Sequence, residues 1–367
     1  MKSIKKYNLF ILFSSFTKGL IEVFVPLLLY KNGFSIKSIL VFLLLKYFLT
    51  FIFIRIISKL LKLINIKYLL LLSSFLFILN FIYLKNIELS SSYLLILSFL
   101  SSSYLILYWV GRHTYALSLI DTKDTTSSSF SIMIYNTFGL LISSFIGAYV
   151  LNHLGYNILL IIISIFSLLS LIPLFLIHEE IKTTSIDIRQ VYELFPKRNY
   201  LFLFLSEIKF ISFTLFPLYI FLNISSNFEY IGILSIITNI SCIIYIYILS
   251  KILKKTKKDY LSLISILLSI TWILKLIIKS NIIYIIIVFL EGVFLVLEDT
   301  IILRAKYILG ERFDKISYTL FIEGASSLIR VLILFLFIVF QFNLIVIIII
   351  GLISNVLSSF VKFKYDI

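Results

Sequence analysis

Apolar stretches of about 20 residues recur along this 367-residue chain, and that is the length a helix needs to cross a hydrocarbon core of about 30 Å. Twelve can be bounded: 8–30, 38–54, 68–84, 92–116, 130–151, 157–177, 199–222, 230–250, 260–278, 282–303, 316–340 and 342–361, the second with room to run longer. Hydrophobic residues make up 61% of the chain and charged residues 14%, with a mean hydropathy of +1.11. A soluble protein carries about 25% charged residues. A disordered chain, a coiled coil and an ordinary water-soluble enzyme are thereby excluded. The expected fold is an all-α membrane protein with twelve transmembrane helices. MKSIKK precedes the first stretch as it would in a secretory signal. That stretch is too long for one, contains Lys18 and Glu22 and lacks a small-residue cleavage site, so it reads as a retained span. The single cysteine, Cys242, excludes an internal disulfide.

The chain carries 33 Lys and Arg against 18 Asp and Glu, a net charge of +15. Such an excess would ordinarily raise a nucleic-acid partner. Placing the N-terminus in the cytosol puts 23 basic residues in the inner connectors, among them Lys59, Lys62, Lys251 and Lys254. The outer connectors hold four: Lys31, Lys37, Lys85 and Lys279. That asymmetry is the positive-inside signature, and both termini are expected in the cytosol of a multi-pass plasma-membrane protein. The spans hold six charges of each sign, so the whole excess lies in the connectors. It orients the chain against the bilayer, its lipid partner, and is no nucleic-acid face.

The longest connector, 179–198, falls midway and divides the chain into bundles at 1–178 and 199–367. Within it Ile188, Val191, Tyr192 and Phe195 recur at helical spacing between charges, as in a helix lying in the interface; a plain tether is the alternative. The halves also repeat. Ser15, Lys18 and Pro26 match Ser206, Lys209 and Pro217 at an offset of 191, and Ser58, Lys59, Lys62, Tyr68 and Ser73 match Ser250, Lys251, Lys254, Tyr260 and Ser265 at 192. Arg112 and Tyr115 meet Arg304 and Tyr307 at the same offset. Parallel six-helix repeats about an axis along the membrane normal are the plan of one transporter class.

On the 6+6 pattern, the cytosolic termini, the central connector and the basic loops at 55–67 and 251–258, the chain resembles the major facilitator superfamily over essentially its whole length. The loops stand where that family carries G-x3-D-[RK]-x-G-[RK]-[RK]. Here Ser58, Leu61 and Ile64 replace the first Gly, the Asp and the second Gly, and basic positions such as Lys62 and Lys67 survive. The resemblance implies a structural or gating role for Lys59, Lys62, Lys251 and Lys254, and the missing Asp removes part of the family's charge switch. GLLISSFIGAYV (139–150) looks like a degraded form of the family's exporter motif: Gly139 and Gly147 remain and the proline is absent.

Twelve charged residues lie within the spans: Lys18, Lys46, Arg112, Lys209, Lys275 and Arg330 against Glu22, Glu207, Glu291, Glu298, Asp299 and Glu323. Each costs about 2.5–3.5 kcal/mol at a helix centre on the insertion scale, so they must pair, face a wet cavity or snorkel. Eight sit on spans 1, 4, 7 and 10, the helices that line the central cavity in the family. Lys18 and Glu22 share a helix face and suit a local ion pair, and Lys209 is expected to approach Lys18 from the other half. Lys18, Glu22, Glu207, Lys209, Glu291 and Glu298 are thus candidates for contact with a substrate or coupling ion; a structural network joining the halves is the alternative. In YWVGRHTY (108–115) Arg112 suits an anionic group through its planar fork, and His113 suits titration near neutral pH. Both lie toward the cytosolic end, where snorkelling competes, and Trp109 reads as part of the interfacial belt. Glu323 and Arg330 are expected to form a structural relay, as are Pro26 and Pro217 to shape their spans. Lys46 needs an acid, with Glu22 as candidate, and Lys275 is expected to snorkel. Asn136, Asn239 and Asn355 suit interhelical hydrogen bonds. Asn223-Ile-Ser225 fits a glycosylation acceptor.

No phosphate-cradling loop, metal-ligand spacing or catalytic constellation is visible in the sequence. No cofactor is expected. The leading expectation is a monomeric secondary transporter that moves a small polar or anionic solute by alternating access, coupled to protons through Glu22 or Glu291, with export favoured by the fifth-span glycines. A non-transporting receptor or scaffold and a lipid flippase are the alternatives.

Overall fold

The computed structural model describes residues 2–119, 125–177, 186–252, 261–278 and 280–361. Every regular element among them is helical. In chain order these are α1 (Lys2–Gly19), a 3-10 turn (Glu22–Phe24), α2 (Val25–Lys31), α3 (Ile36–Leu60), α4 (Ile66–Leu84), α5 (Ser91–Leu119), α6 (Thr125–Leu140), α7 (Ser143–His153) and α8 (Tyr156–Phe175). After the connector come α9 (Ile188–Leu194), α10 (Lys197–Asn223), α11 (Phe228–Ile252), α12 (Leu261–Ile277), α13 (Asn281–Gly310), α14 (Lys315–Val339) and α15 (Leu344–Val361). Ten stretches among the described residues are long and apolar enough to cross a bilayer. α12, with 17 residues, is shorter, and α13, with 30, carries Glu291, Glu298, Asp299, Arg304 and Lys306 and is not among the ten. Large apolar side chains such as Ile161, Phe335 and Phe360 are exposed on the outer surface, as lipid contact requires. The chain is an integral, multi-pass membrane protein.

Two expected spans are not single helices. The first is interrupted after Gly19: residues 20–21 form a turn, Glu22–Phe24 a 3-10 turn, and α2 restarts with Pro26 near its N-terminus. The fifth is interrupted at Leu141–Ile142 between α6 and α7. The interruptions lie side by side, since a Cβ on Gly19, the last residue of α1, would lie 2.0 Å from the hydroxyl oxygen of Ser143, the first of α7. A Cβ on Gly147 would lie 1.8 Å from the Leu20 carbonyl oxygen, and one on Gly139 would lie 2.4 Å from the Leu12 carbonyl oxygen. Small residues let helix backbones approach this closely in lipid, so the two glycines are required by the crossing of the first and fifth spans. Pro217, the counterpart of Pro26, lies inside the continuous α10.

α1 packs on α6 and α8, and α10 on α15, each within its own half. Between the halves, α3 and α5 pack on α14, and α6 and α7 pack on α11. α9 is docked on α14. Its Asp187 caps it by accepting from the Gln190 amide, Val191 is buried, and Phe195 just beyond it packs 4.9 Å from the Phe321 ring, while Tyr192 is exposed. Within the described residues 186–198 the segment is helical over Ile188–Leu194, and its buried Val191 faces protein.

Candidate functional site

Interior charge divides sharply between the halves. Among the described residues of the C-terminal half, Lys209, Lys275 and Arg330 each meet a carboxylate. Lys209 Nζ on α10 is 2.9 Å from Glu298 and 3.9 Å from Asp299 on α13, and Ser265 on α12 donates to the other Glu298 oxygen at 2.8 Å. Arg330 Nε on α14 is 2.6 Å from Glu207 on α10, with its guanidinium against the rings of Phe210 and Tyr47. Lys275 Nζ on α12 is 2.7 Å from Glu291 on α13 and 3.9 Å from the Phe216 ring centroid. Such pairs form because an unpaired ion is costly to bury, and each cation here has a hydrogen-bonded acid within reach.

In the N-terminal half the arrangement is different. Arg112 on α5 is buried, and among the described residues no carboxylate pairs with it. Its fork donates to the Tyr108 hydroxyl at 3.2 Å and to Asn136 Oδ1 on α6 at 3.0 Å, while Nε has no hydrogen-bond partner. Lys18 Nζ lies 3.3 Å from the Tyr108 ring centroid and 5.1 Å from that of Trp109, and it too has no hydrogen-bond partner. Its nearest acid, Glu22, is 3.8 Å away and accepts from Tyr104 at 3.1 Å. Two cations with unsatisfied donors therefore flank one Tyr108–Trp109 aromatic pair. Aromatic faces stabilise cations without neutralising them, so the pair retains positive charge that an anionic group could meet.

The halves touch at both ends. At the end nearer α9, His113 Nδ1 is 3.2 Å from the Tyr307 hydroxyl on α13, and His113 Nε2 is 3.8 Å from Glu323 on α14. At the opposite end Phe24 meets Phe228 edge-on at 5.6 Å, and His153 Nε2 is 2.7 Å from Glu229. Between these two layers lie Lys18, Glu22 and Arg112 from one half, and Glu207 and Arg330 from the other.

Several expectations need correction. Lys275 does not snorkel; its side chain is 5% exposed, because Glu291 one helix away offers an acid inside the protein. Lys209 does not approach Lys18, since each is drawn into its own half by nearer partners. Of the two residues expected to relay along the eleventh span, Glu323 faces His113 across the halves and Arg330 takes Glu207. Trp109 is not a belt residue, as its ring stacks on His113 at 5.2 Å and faces Lys18 and Arg112. Lys46 forms no ion pair with Glu22 among the described residues and lies 5.7 Å from the Tyr47 ring. Glu291 and Glu298, seven residues apart, go to different lysines. Lys59 and Lys62 are exposed at the α3–α4 connection, whereas Lys67 donates to the Ile177 carbonyl. The Lys251 side chain and Lys254 lie outside the described residues.

Other expectations match the coordinates. Lys18 and Glu22 pair within one span. Asn136 accepts from Ser15 and Arg112, Asn239 donates to the Leu140 carbonyl, and Asn355 donates to the Ser265 carbonyl and to Ser269.

The helix arrangement has close counterparts in solved structures. A bacterial homologue of the iron transporter ferroportin, in an outward-facing state, superposes with a TM-score of 0.67 over 100% of this chain and 99% of its own, at 14% identity. The human organic anion transporter MFSD10 (TETRAN) superposes with a TM-score of 0.70 over 98% of this chain and 97% of its own, at 10% identity. Both have the major facilitator fold, and so does this chain from end to end. No family model matches the sequence, and no curated protein matches it either.

Proposed function

We propose that the chain is a secondary transporter, not an enzyme, and that it moves a small anionic solute by alternating access. Twelve spans form two six-helix bundles, residues 1–178 and 199–367, joined by 179–198, with both termini in the cytosol of the plasma membrane. In this reading α12 and α13 are the ninth and tenth spans, and the first and fifth are the interrupted ones. The bundles rock about the layer that holds Lys18, Glu22, Arg112, Glu207 and Arg330. The solute is bound by Arg112 and Lys18, driven by proton coupling, with export as the favoured direction and the monomer as the working unit.

The observation that carries the reading is the buried, carboxylate-free Arg112 beside Lys18, each with an unsatisfied donor. Leaving such donors unmet in a folded interior costs about 1–3 kcal/mol each, and more when charged. A purely structural arginine would have acquired an acid, as Arg330 has. A bidentate carboxylate or phosphate matches the guanidinium fork. The fold shared with an organic anion transporter is consistent with that substrate class.

The test is flux in proteoliposomes. Gradient-driven movement of succinate, benzoate or inorganic phosphate is expected in the wild type and falls by about 10–100-fold in Arg112→Gln. If none of these anions moves, or if Arg112→Gln carries them at the wild-type rate, the anion reading fails. Flux indifferent to an imposed proton gradient would remove the coupling ion from the proposal.

A further inference from the structure

Positive charge is scarce on the outer side in the proposed topology: the outer connectors hold four lysines. Two of them, Lys31 and Lys85, line one cavity of about 340 Å³. Lys31 ends α2 and Lys85 caps the C-terminus of α4. A lysine at a helix C-terminus answers the helix dipole, which accounts for each one separately. It does not account for two from different helices meeting over the same space. Asn32, Asn152 and Tyr156 add polar groups to the wall, and none of the described lining residues is acidic. Neither Lys31 nor Lys85 makes an ion pair among the described residues, although Glu88 follows Lys85 by three positions. Glu229 lies beside the cavity, where Asn152 and His153 hold it.

The cavity floor includes Phe228 from the C-terminal half. Its ring packs edge-on against Phe24, in the interrupted part of the first span, and stacks on Phe221 at 5.4 Å. Lys31 Nζ lies 5.0 Å from the centroid of the same ring. The lysine-lined space is thus separated from the Glu22–Lys18 layer by an aromatic contact that joins the halves. A volume of this size falls at the lower end of the range for small-ligand sites, about 300–1,000 Å³.

We propose that this cavity is a second anion site, an outer vestibule in which Lys31 and Lys85 hold a carboxylate or phosphate group on its way between the aqueous phase and the Arg112 site. The ligand is met by two ammonium groups and two amides. A clustered pair of like charges in a concave wall raises the local anion concentration by about tenfold or more. An anion here also competes with the Phe228 ring for Lys31, which ties occupancy of the vestibule to the contact between the halves. The inference rests on the proposed transport reading for its direction. Its test does not depend on flux.

Phe228→Trp places a fluorescent reporter on the cavity floor of the full chain in phosphatidylcholine nanodiscs, with the emission of Trp109 and Trp272 subtracted using the parent protein. Iodide, an anionic quencher, is expected to quench this reporter efficiently. Lys31→Gln together with Lys85→Gln is expected to lower the iodide quenching constant at least about threefold, while quenching by neutral acrylamide stays the same. Succinate and inorganic phosphate are expected to protect against iodide in the protein with both lysines. If phosphatidylglycerol in the nanodisc protects and the soluble anions do not, the anionic group held there is a lipid headgroup. Iodide quenching that is equal with and without the two lysines overturns the proposal. Should Phe228→Trp fail to give a monodisperse protein, Asn152→Trp carries the reporter on the adjacent wall. Arg112→Gln is expected to leave the quenching pattern unchanged, so loss of the inner site and loss of the vestibule are separately visible.

Discussion

Within the spans the N-terminal half holds Lys18, Lys46 and Arg112 against Glu22 alone, while the C-terminal half holds Lys209, Lys275 and Arg330 against Glu207, Glu291, Glu298, Asp299 and Glu323. Totals cancel over the chain but not within either half: one interior is positive by two charges and the other negative by two. The backbones differ in parallel. The N-terminal half interrupts its first and fifth spans, whereas the equivalent α10 and α14 run through. One half thus holds its acids in internal pairs, and the other keeps cations and interrupted helices near the division between them.

The comparison makes a prediction of opposite sign for the same kind of substitution. Lys275→Met strands a buried Glu291 and is expected to lower stability by about 3–5 kcal/mol, read as a fall in melting temperature in detergent. Adding Glu291→Gln to it is expected to restore most of the loss, since removing both partners leaves no orphaned charge. Arg112→Gln removes a cation that has no acid, so its melting temperature is expected to hold or rise, while flux falls by about 10–100-fold through loss of a charged hydrogen bond to the solute. A destabilised Arg112→Gln protein would show that the arginine is structural and would erase the distinction between the halves.

Two smaller effects examine the backbone side of the contrast. Gly147→Val drives a side chain into the Leu20 carbonyl and is expected to cost about 1–3 kcal/mol, again by thermal unfolding; a neutral result would mean the two interruptions need not touch. Asn355→Ala removes an interhelical bond from the continuous, paired half and is expected to cost about 0.6 kcal/mol. A loss several times larger would place that asparagine in the Lys209–Glu298–Ser265 network.

Local information in the sequence was enough for part of this. Spans follow from hydropathy, Lys18–Glu22 from a four-residue spacing, and α9 from the recurrence of Val191 and Phe195. Asparagines in apolar helices announce that they need partners without saying which. The pairs Arg330–Glu207 and His113–Glu323 join helices whose adjacency no local pattern encodes, and although α12 and α13 are consecutive and joined by three residues, nothing local says that Lys275 turns inward to Glu291. The break in the first span was hidden for a different reason. Pro26 lies after it, in the helix that restarts, and residues 20–21 are Leu and Ile, which carry no turn signal. What holds that turn is the backbone of α7 pressed against it at Gly147, a tertiary constraint. The equivalent proline at 217, lacking that constraint, leaves α10 unbroken.

The interruption of the first span has a mechanical consequence. A continuous helix is a stiff rod that carries a bending load from one end to the other, and a turn held by tighter bonds, Ile21 N–H to the Lys18 carbonyl and Phe24 N–H to the Ile21 carbonyl, carries it less well. On one side of the joint α1 is fastened to α6 and α8. On the other, Phe24 is fastened to Phe228 of the opposite half, and α2 contacts α10. The fifth span is jointed at the same level, with His153 at the end of α7 tied to Glu229. α6 and α7 both pack on α11, and α7 also packs on α8, so the jointed part of the fifth span is held from both halves. The turn in the first span therefore sits between an attachment to its own half and an attachment to the opposite one.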